Sequence, residues 1–316
     1  MPKVSVIIPN FNHAPYLEVR IRSVLEQTFS DTEVVLLDDC STDDSSAILA
    51  KYQNHPKVAR CIFNEVNSGS AFRQWERGIA SATGEYIWVA ESDDLASPHF
   101  LTHLCGALDA HPSVGLAYCQ SAKIDAAGST IGSWSDLTKA FPEDPWRNNF
   151  IAKGRDMVRG FLLFRNVVPN ASAVLFRRRC LSSDILREAA TYTNNGDWFV
   201  WSNVLLLSDM AFSNLHYNFC RFHSGKGSIA NIYNCNNITE LYRLRGFLYG
   251  AVGLPDNLRQ LINADMFQEW MSQRRFLRLA KDSPEMLKVL AAAEKVDSSV
   301  RKRLGSEPEE IPLPHA

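Results

Sequence analysis

The feature that most constrains this chain is the alternation, over its first 120 residues, of short apolar runs with stretches of helical periodicity. Residues 3–9 (KVSVIIP) are strand-like, and residues 15–29 carry Leu17, Ile21, Val24 and Leu25 at helical spacing. Residues 33–37 (EVVLL) predict a second strand that ends at Asp38 and Asp39. The polar run 41–45 then offers several N-caps for a helix through Tyr52. Residues 58–63, 86–90 and 114–120 predict three more strands. Helices are expected over 70–82 and 97–110, the latter opened by Pro98 in its first turn. Strands apolar on both faces and separated by helices predict an α/β fold, a mostly parallel sheet covered by helices on both sides.

The rhythm changes after residue 121. Residues 124–131 predict a hairpin around Ala127-Gly128, and 132–149, rich in Pro, Trp, Asn and Asp, an irregular loop. A helix over 153–164, a strand over 171–176, a helix over 198–207 and a strand over 210–221 follow. From about Asn237 the pattern is helical, including 266–279 and 284–293. The tail 306–316 has little to bury and is expected to fray. No internal repeat is present.

The formal net charge of the 316-residue chain is −2, which argues against a nucleic-acid partner. The basic clusters 177–179 and 274–275 read as solvated faces. Seven scattered cysteines without a Cys-x-x-Cys pair suggest neither a disulfide framework nor a zinc site, but reduced thiols in a cytoplasmic protein. A strand pattern that begins at Lys3 leaves no room for a signal peptide, and no apolar run reaches the 18 or so residues of a spanning helix. Peripheral contact with the inner face of a membrane stays open.

Two acid-rich strand ends, Asp38-Asp39 and Glu91-Ser-Asp-Asp94, fall on the carboxyl edge of the expected sheet, where open α/β folds bind ligands. Capping of the next helix is one reading of Asp94 and of Asp43-Asp44. It does not account for Glu91, which directly follows a strand. Clustered carboxylates repel unless a cation is near, and a hard divalent ion removes the conflict. The first turn, Pro9-Asn-Phe-Asn-His-Ala-Pro15, has no glycine, so neither the dinucleotide fingerprint nor the P-loop can form there.

Four ordered blocks then carry a resemblance: 5–12 (SVIIPNFN), 33–43 (EVVLLDDCSTD), 67–69 (NSG) and 84–94 (GEYIWVAESDD). Together they resemble glycosyltransferase family 2, inverting sugar transferases of the GT-A fold. The resemblance extends over residues 3–225. It implies that Asp39, beside Asp38, accepts from the imide N–H of a UDP-sugar and that Pro9, Asn10 and Phe11 line base and ribose. Glu91-Ser92-Asp93 takes the place of the family's Asp-x-Asp motif, which makes Asp93 a ligand of Mn²⁺ or Mg²⁺. Glu91 departs from that motif, reaching the ribose, the metal through water, or neither. Asn67 belongs to the donor side, as does Arg73 unless it is a plain helix-surface arginine. Asp94 is a helix-start residue or an aid to donor binding.

Further along, the resemblance makes Asp197 the general base; by itself it reads equally as a helix cap. Residues 168–172, with Asn170, resemble the family's acceptor-side segment or are a plain loop entering a strand, and the resemblance puts Trp198 on the acceptor side as well. Arg221-Phe-His223 resembles a family Arg-x-His, so His223 reaches the metal or diphosphate unless it is structural. Residues 224–228 (SGKGS) are a loop expected to fold over the nucleotide.

The implied activity is metal-dependent transfer of a sugar from a nucleotide-sugar donor to a glycan or lipid-linked acceptor, in the building of a cell-surface polysaccharide. A GT-A domain over 1–230 is expected, with a donor half at 1–120 and an acceptor half at 121–230, followed by a helical segment over 231–316. A sugar-phosphate nucleotidyltransferase would share the sheet but want a glycine-rich loop after the first strand. A non-catalytic nucleotide-sugar binder is the other alternative. The sugar, the acceptor and the oligomeric state are not legible.

Overall fold

The computed structural model describes residues 1–139, 141, 143–223, 234–277 and 279–307. The loop at 224–228 and the tail beyond 307 lie outside them. The chain divides into two compact units: Met1–Thr191 with Gly196–His223, and Tyr192–Asn195 with the residues from Ser224 onward.

In the first unit the expected alternation appears as β1 (Val4–Asn10), α1 (Ala14–Leu25), β2 (Thr32–Asp38), α2 (Ser45–Tyr52), β3 (Val58–Phe63), α3 (Ala71–Ser81) and β4 (Tyr86–Val89). Next come β5 (Leu95–Ala96), α4 (Phe100–Ala110), β6 (Val114–Ile124), β7 (Thr130–Ser133), β8 (Phe150–Ala152) and α5 (Gly154–Met157). The unit closes with β9 (Val174–Arg177), α6 (Ser183–Ala189), α7 (Gly196–Leu207) and β10 (Asp209–Arg221). The sheet order is β3-β2-β1-β4-β9-β6-β10-β5, with β7 on β6 and β8 on β10.

Strands β3, β2, β1 and β4 run parallel, as do β6 and β10. Strand β9 lies antiparallel between β4 and β6, and β5 antiparallel on β10, so the sheet is mixed. Direction could not be read from sequence, because β9 is buried along its whole length and an apolar run looks the same either way. The expected hairpin is present: β6 continues to Ile124 and pairs antiparallel with β7. The helix expected over 153–164 begins as α5 but widens into a π-helical turn at Val158–Leu162. One face of the sheet packs on α1 and α4 through Val6, Ile8, Leu17, Ile21, Trp88, Phe100 and Leu104, all buried. No two of the seven cysteines form a disulfide among the described residues.

In the second unit, α8 (Cys235–Val252), α9 (Asp256–Leu277), α10 (Pro284–Ala293) and α11 (Val300–Ser306) form the helical segment. Asn234 caps α8 by accepting from the Asn237 N–H, and Gly253, at φ +63°, supplies its left-handed C-terminal residue. No helix among the described residues is long and apolar enough to cross a membrane.

Candidate functional site

The parallel strands β1, β2 and β4 bring their carboxyl ends to one edge, and Asn10 pairs in register with Asp38. Asp38 is consumed in building this edge. Its carboxylate accepts from Asn10 Nδ2 (2.9 Å), the Ser41 N–H (3.0 Å), Ser41 Oγ (2.7 Å) and Ser46 Oγ (3.0 Å). Asp39, also buried, faces the other way. Oδ1 accepts from Asn64 Nδ2 (2.6 Å), the Ser68 N–H (2.9 Å) and Gln74 Nε2 (2.8 Å), while Oδ2 accepts from Ser68 Oγ (2.7 Å). Asn67 donates to the Asp39 carbonyl at 2.8 Å.

Asp39 thereby becomes one wall of a cavity of ≈ 370 Å³, lined also by Pro9, Asn10, Phe11, His13, Asn67, Gln74, Glu91 and Ser92. Phe11 is 45 % exposed, a large ring left open to solvent at the rim. Seven residues expected on the donor side therefore meet around one space. Arg73 does not line it: it lies exposed on α3 and donates to the Ser68 carbonyl at 2.9 Å.

The acids after β4 separate into different environments. Glu91 Oε1 accepts from the Trp75 indole at 3.1 Å, and its N–H donates to Ser172 Oγ at 3.0 Å. Ser92 Oγ lies 2.8 Å from His13 Nδ1. Asp93, 2 % exposed, places Oδ2 3.2 Å from His223 Nε2. Asp94 does not start a helix. The chain turns (Asp94 N–H to Glu91 O, 3.2 Å), forms β5 against β10, and reaches α4 only at Phe100. Asp94 is fully buried and accepts from the Arg221 N–H at 2.9 Å, while Arg221 Nε donates to the Asp93 carbonyl at 2.8 Å.

His13, Asp93 and His223 form a group in which one potential ligand atom from each lies within 4.8 Å of the others. His13 is the member that the sequence did not suggest, since a histidine in a turn has no motif of its own. Gln74 was missed likewise. A third omission is Arg20, which is fully buried on α1 with its guanidinium 4.9 Å from the centre of the Trp88 ring. None of its three side-chain nitrogens has a hydrogen-bond partner among the described residues. Burial pushes its pKa down to about 10, against the pull of Asp94, Asp93 and Glu91. It therefore stays cationic at neutral pH and offsets part of the negative charge above it. Its place between Leu17 and Val24 on the apolar stripe of α1 was the available signal.

Asp197 sits in the first turn of α7. Its Oδ1 accepts from the Trp198 N–H at 2.7 Å and its Oδ2 from Asn166 Nδ2 at 3.2 Å. A Cβ on Gly196 would come 2.6 Å from the Phe72 ring, so this helix start is pressed closely onto α3. Trp198 is buried and donates its indole N–H to Leu162 O at 3.0 Å, an anchoring role rather than an open ring. Asn170 is likewise buried, its Oδ1 accepting from the Ser172 N–H at 3.0 Å.

Comparison with known proteins bears on the family and the fold. The family model described as Glycosyl transferase family 2 matches residues 5–168. An uncharacterized glycosyltransferase of Nostoc sp. is 37 % identical over 144 residues, 45 % of this chain and 44 % of its own length. The poly(ribitol-phosphate) beta-N-acetylglucosaminyltransferase TarS of Staphylococcus aureus is 35 % identical over 117 residues, 36 % of this chain and 20 % of its own. The chain thus matches less than half the length of either. The crystal structure of S. aureus TarS 1-349 in complex with UDP-GlcNAc superposes with a TM-score of 0.69 at 19 % identity, covering 95 % of this chain and 83 % of that one. At that identity the likeness shows the fold, a GT-A-like α/β arrangement.

Proposed function

This chain belongs to glycosyl transferase family 2, and from that premise we propose that it transfers a sugar, with inversion, from a UDP-sugar to a hydroxyl of a glycan or lipid-linked acceptor. The observation that carries the reading is the cavity in which Asp39, Asn10 and Phe11 lie beside Glu91 and Ser92, next to the His13–Asp93–His223 group. Asp39 accepts from the base; one of its oxygens already holds three donors, whereas Oδ2 holds one and has room for another. Phe11 stacks on the base, and Asn10 and Pro9 border the ribose. Glu91 receives a donor hydroxyl.

Two imidazoles and a carboxylate are a donor set softer than the all-oxygen shell of Mg²⁺, which favours Mn²⁺ at His13, Asp93 and His223. A divalent cation held there would offset charge on the donor diphosphate. Asp197 takes the proton of the acceptor hydroxyl as its oxygen bonds to the anomeric carbon. The bond from that carbon to the diphosphate breaks, and the nucleoside diphosphate leaves. One carboxylate suffices for this step. Two names support the substrate classes: the relative acting on poly(ribitol phosphate), and its structure holding UDP-GlcNAc. We assign donor binding to residues 1–120, acceptor binding to 121–230, and the helical segment to 231–316.

The test is UDP release by the purified protein from a panel of UDP-, GDP- and dTDP-sugars, with and without Mn²⁺ and an acceptor extract. Thermal shift on the same panel reads binding. Indifference to every nucleotide in the presence of Mn²⁺ overturns the proposal.

A further inference from the structure

We infer that Asn166 is the positioning residue of Asp197, an inference that rests on reading Asp197 as the base. The orientation of the Asn166 amide is set by its own loop. Its Oδ1 accepts from the Val168 N–H at 3.2 Å, so the nitrogen must face the other way, and Nδ2 donates to Asp197 Oδ2 at 3.2 Å. The other carboxylate oxygen accepts from the Trp198 N–H at 2.7 Å. With a donor on each oxygen, the plane of the carboxylate is fixed rather than free to swing about its torsions.

The loop that carries Asn166 is tied to the same helix start a second time. Trp198, 5 % exposed, donates its indole N–H to Leu162 O at 3.0 Å, four residues before Asn166. The beginning of α7 and residues 162–168 therefore move together, and the distance from amide to carboxylate is held from both sides. Two consequences follow for a proton acceptor. An N–H donated to a carboxylate favours its ionised form, the form that can accept. A fixed plane keeps one geometry towards the acceptor hydroxyl, and that is what a base needs beyond its charge. Asn166 touches Asp197 and is given no contact with the reacting atoms.

Asn166→Leu removes the donor, and Asn166→Asp replaces it with a second carboxylate. We expect Asn166→Leu to lower kcat about ten-fold or more, with donor KM and thermal stabilisation by UDP unchanged within about two-fold. We expect Asn166→Asp to move the acid limb of the kcat–pH profile upward by about one unit, as a like charge beside the base would. A purely structural side chain would lower Tm and leave kcat per folded molecule and the acid limb where they were; that result overturns the inference. Asp197→Asn separates the two readings. If it transfers sugar at the unaltered rate, the base reading fails and this inference with it. If it is inactive while both Asn166 variants behave as the unaltered protein, this inference alone fails.

Discussion

The indole N–H of Trp75 donates to Glu91 Oε1 at 3.1 Å, and this ties the acid at the first motif position to α3. Trp75 is 2 % exposed and packs edge-on against Phe72, so the donor cannot move away. The additional methylene of a glutamate is what lets a residue at the end of β4 reach that indole. A charge-assisted hydrogen bond of this kind is worth about 1.5–3 kcal/mol. Trp75→Phe is therefore expected to weaken UDP-sugar binding roughly ten-fold or more by titration calorimetry, with Mn²⁺ affinity unchanged. Equal losses of sugar and metal affinity would place Glu91 among the metal ligands instead.

His13 and His223 lie far apart in sequence, yet each offers a nitrogen to the space beside Asp93 Oδ2. Asp93→Asn and His223→Ala should each reduce Mn²⁺ affinity at least about ten-fold, and His13→Ala should do the same. Mn²⁺ electron paramagnetic resonance measures free ion directly and needs no acceptor. If His13→Ala binds Mn²⁺ as tightly as the unaltered protein, the site has two protein ligands rather than three.

Replacing Asp197 by Asn keeps the hydrogen bonds it accepts through one oxygen but removes the proton acceptor. A positioned general base contributes about 10²–10⁴ in rate, and the loss should fall on kcat with donor binding intact. Single-turnover transfer compared with UDP-induced thermal shift separates the two quantities.

Asp38 and Asp39, adjacent in sequence, should fail differently. Asp38→Ala removes the acceptor of the buried Asn10 amide, a loss on the order of 1–3 kcal/mol, and that of the half-buried Ser41 hydroxyl, and should appear as a lower Tm. Asp39→Asn keeps the local volume but turns an acceptor partly into a donor. Its main effect should be on nucleotide affinity. The experiment is thermal denaturation of both variants with and without UDP.

Glu33 gives a pH prediction. Burial alone would raise its carboxyl, but hydrogen bonds from Ser5 Oγ (2.5 Å), the Thr83 N–H (2.6 Å) and Thr83 Oγ1 (2.9 Å) hold it below the usual carboxylate range. A folded-state pKa below the unfolded one adds stability that is complete above the unfolded value, near 4.3, and is lost as pH falls through the folded value. Glu33→Gln should lower stability at pH 7 and narrow its gap to the unaltered protein below about pH 4. A gap that stays constant from pH 7 to pH 3 would deny Glu33 this role.

Local pattern made much of this legible. The strand–helix alternation, the acids at strand ends and the helical run from residue 237 are properties of neighbouring residues, set by side-chain periodicity and capping. The direction of β9 was not legible, because burial on both faces erases the alternation that would mark its surroundings. The π-helical widening after α5 was equally silent, since apolar spacing over one turn does not distinguish the two helix types.

What the sequence by itself determined was the order of the elements and which strand ends carry the acids. Only the tertiary structure decided the division of labour among those acids. Asp38 is spent on Asn10, Ser41 and Ser46, Asp39 faces the cavity, Glu91 is tied to Trp75, and Asp93 is gathered with His13 and His223. The reason is physical. A carboxylate's role is set by the donors and charges within a few ångströms of it, and here these come from residues distant in the chain. Arg20 shows this most plainly, a cation on an apolar helix stripe whose purpose appears only when Trp88 and the acids close over it.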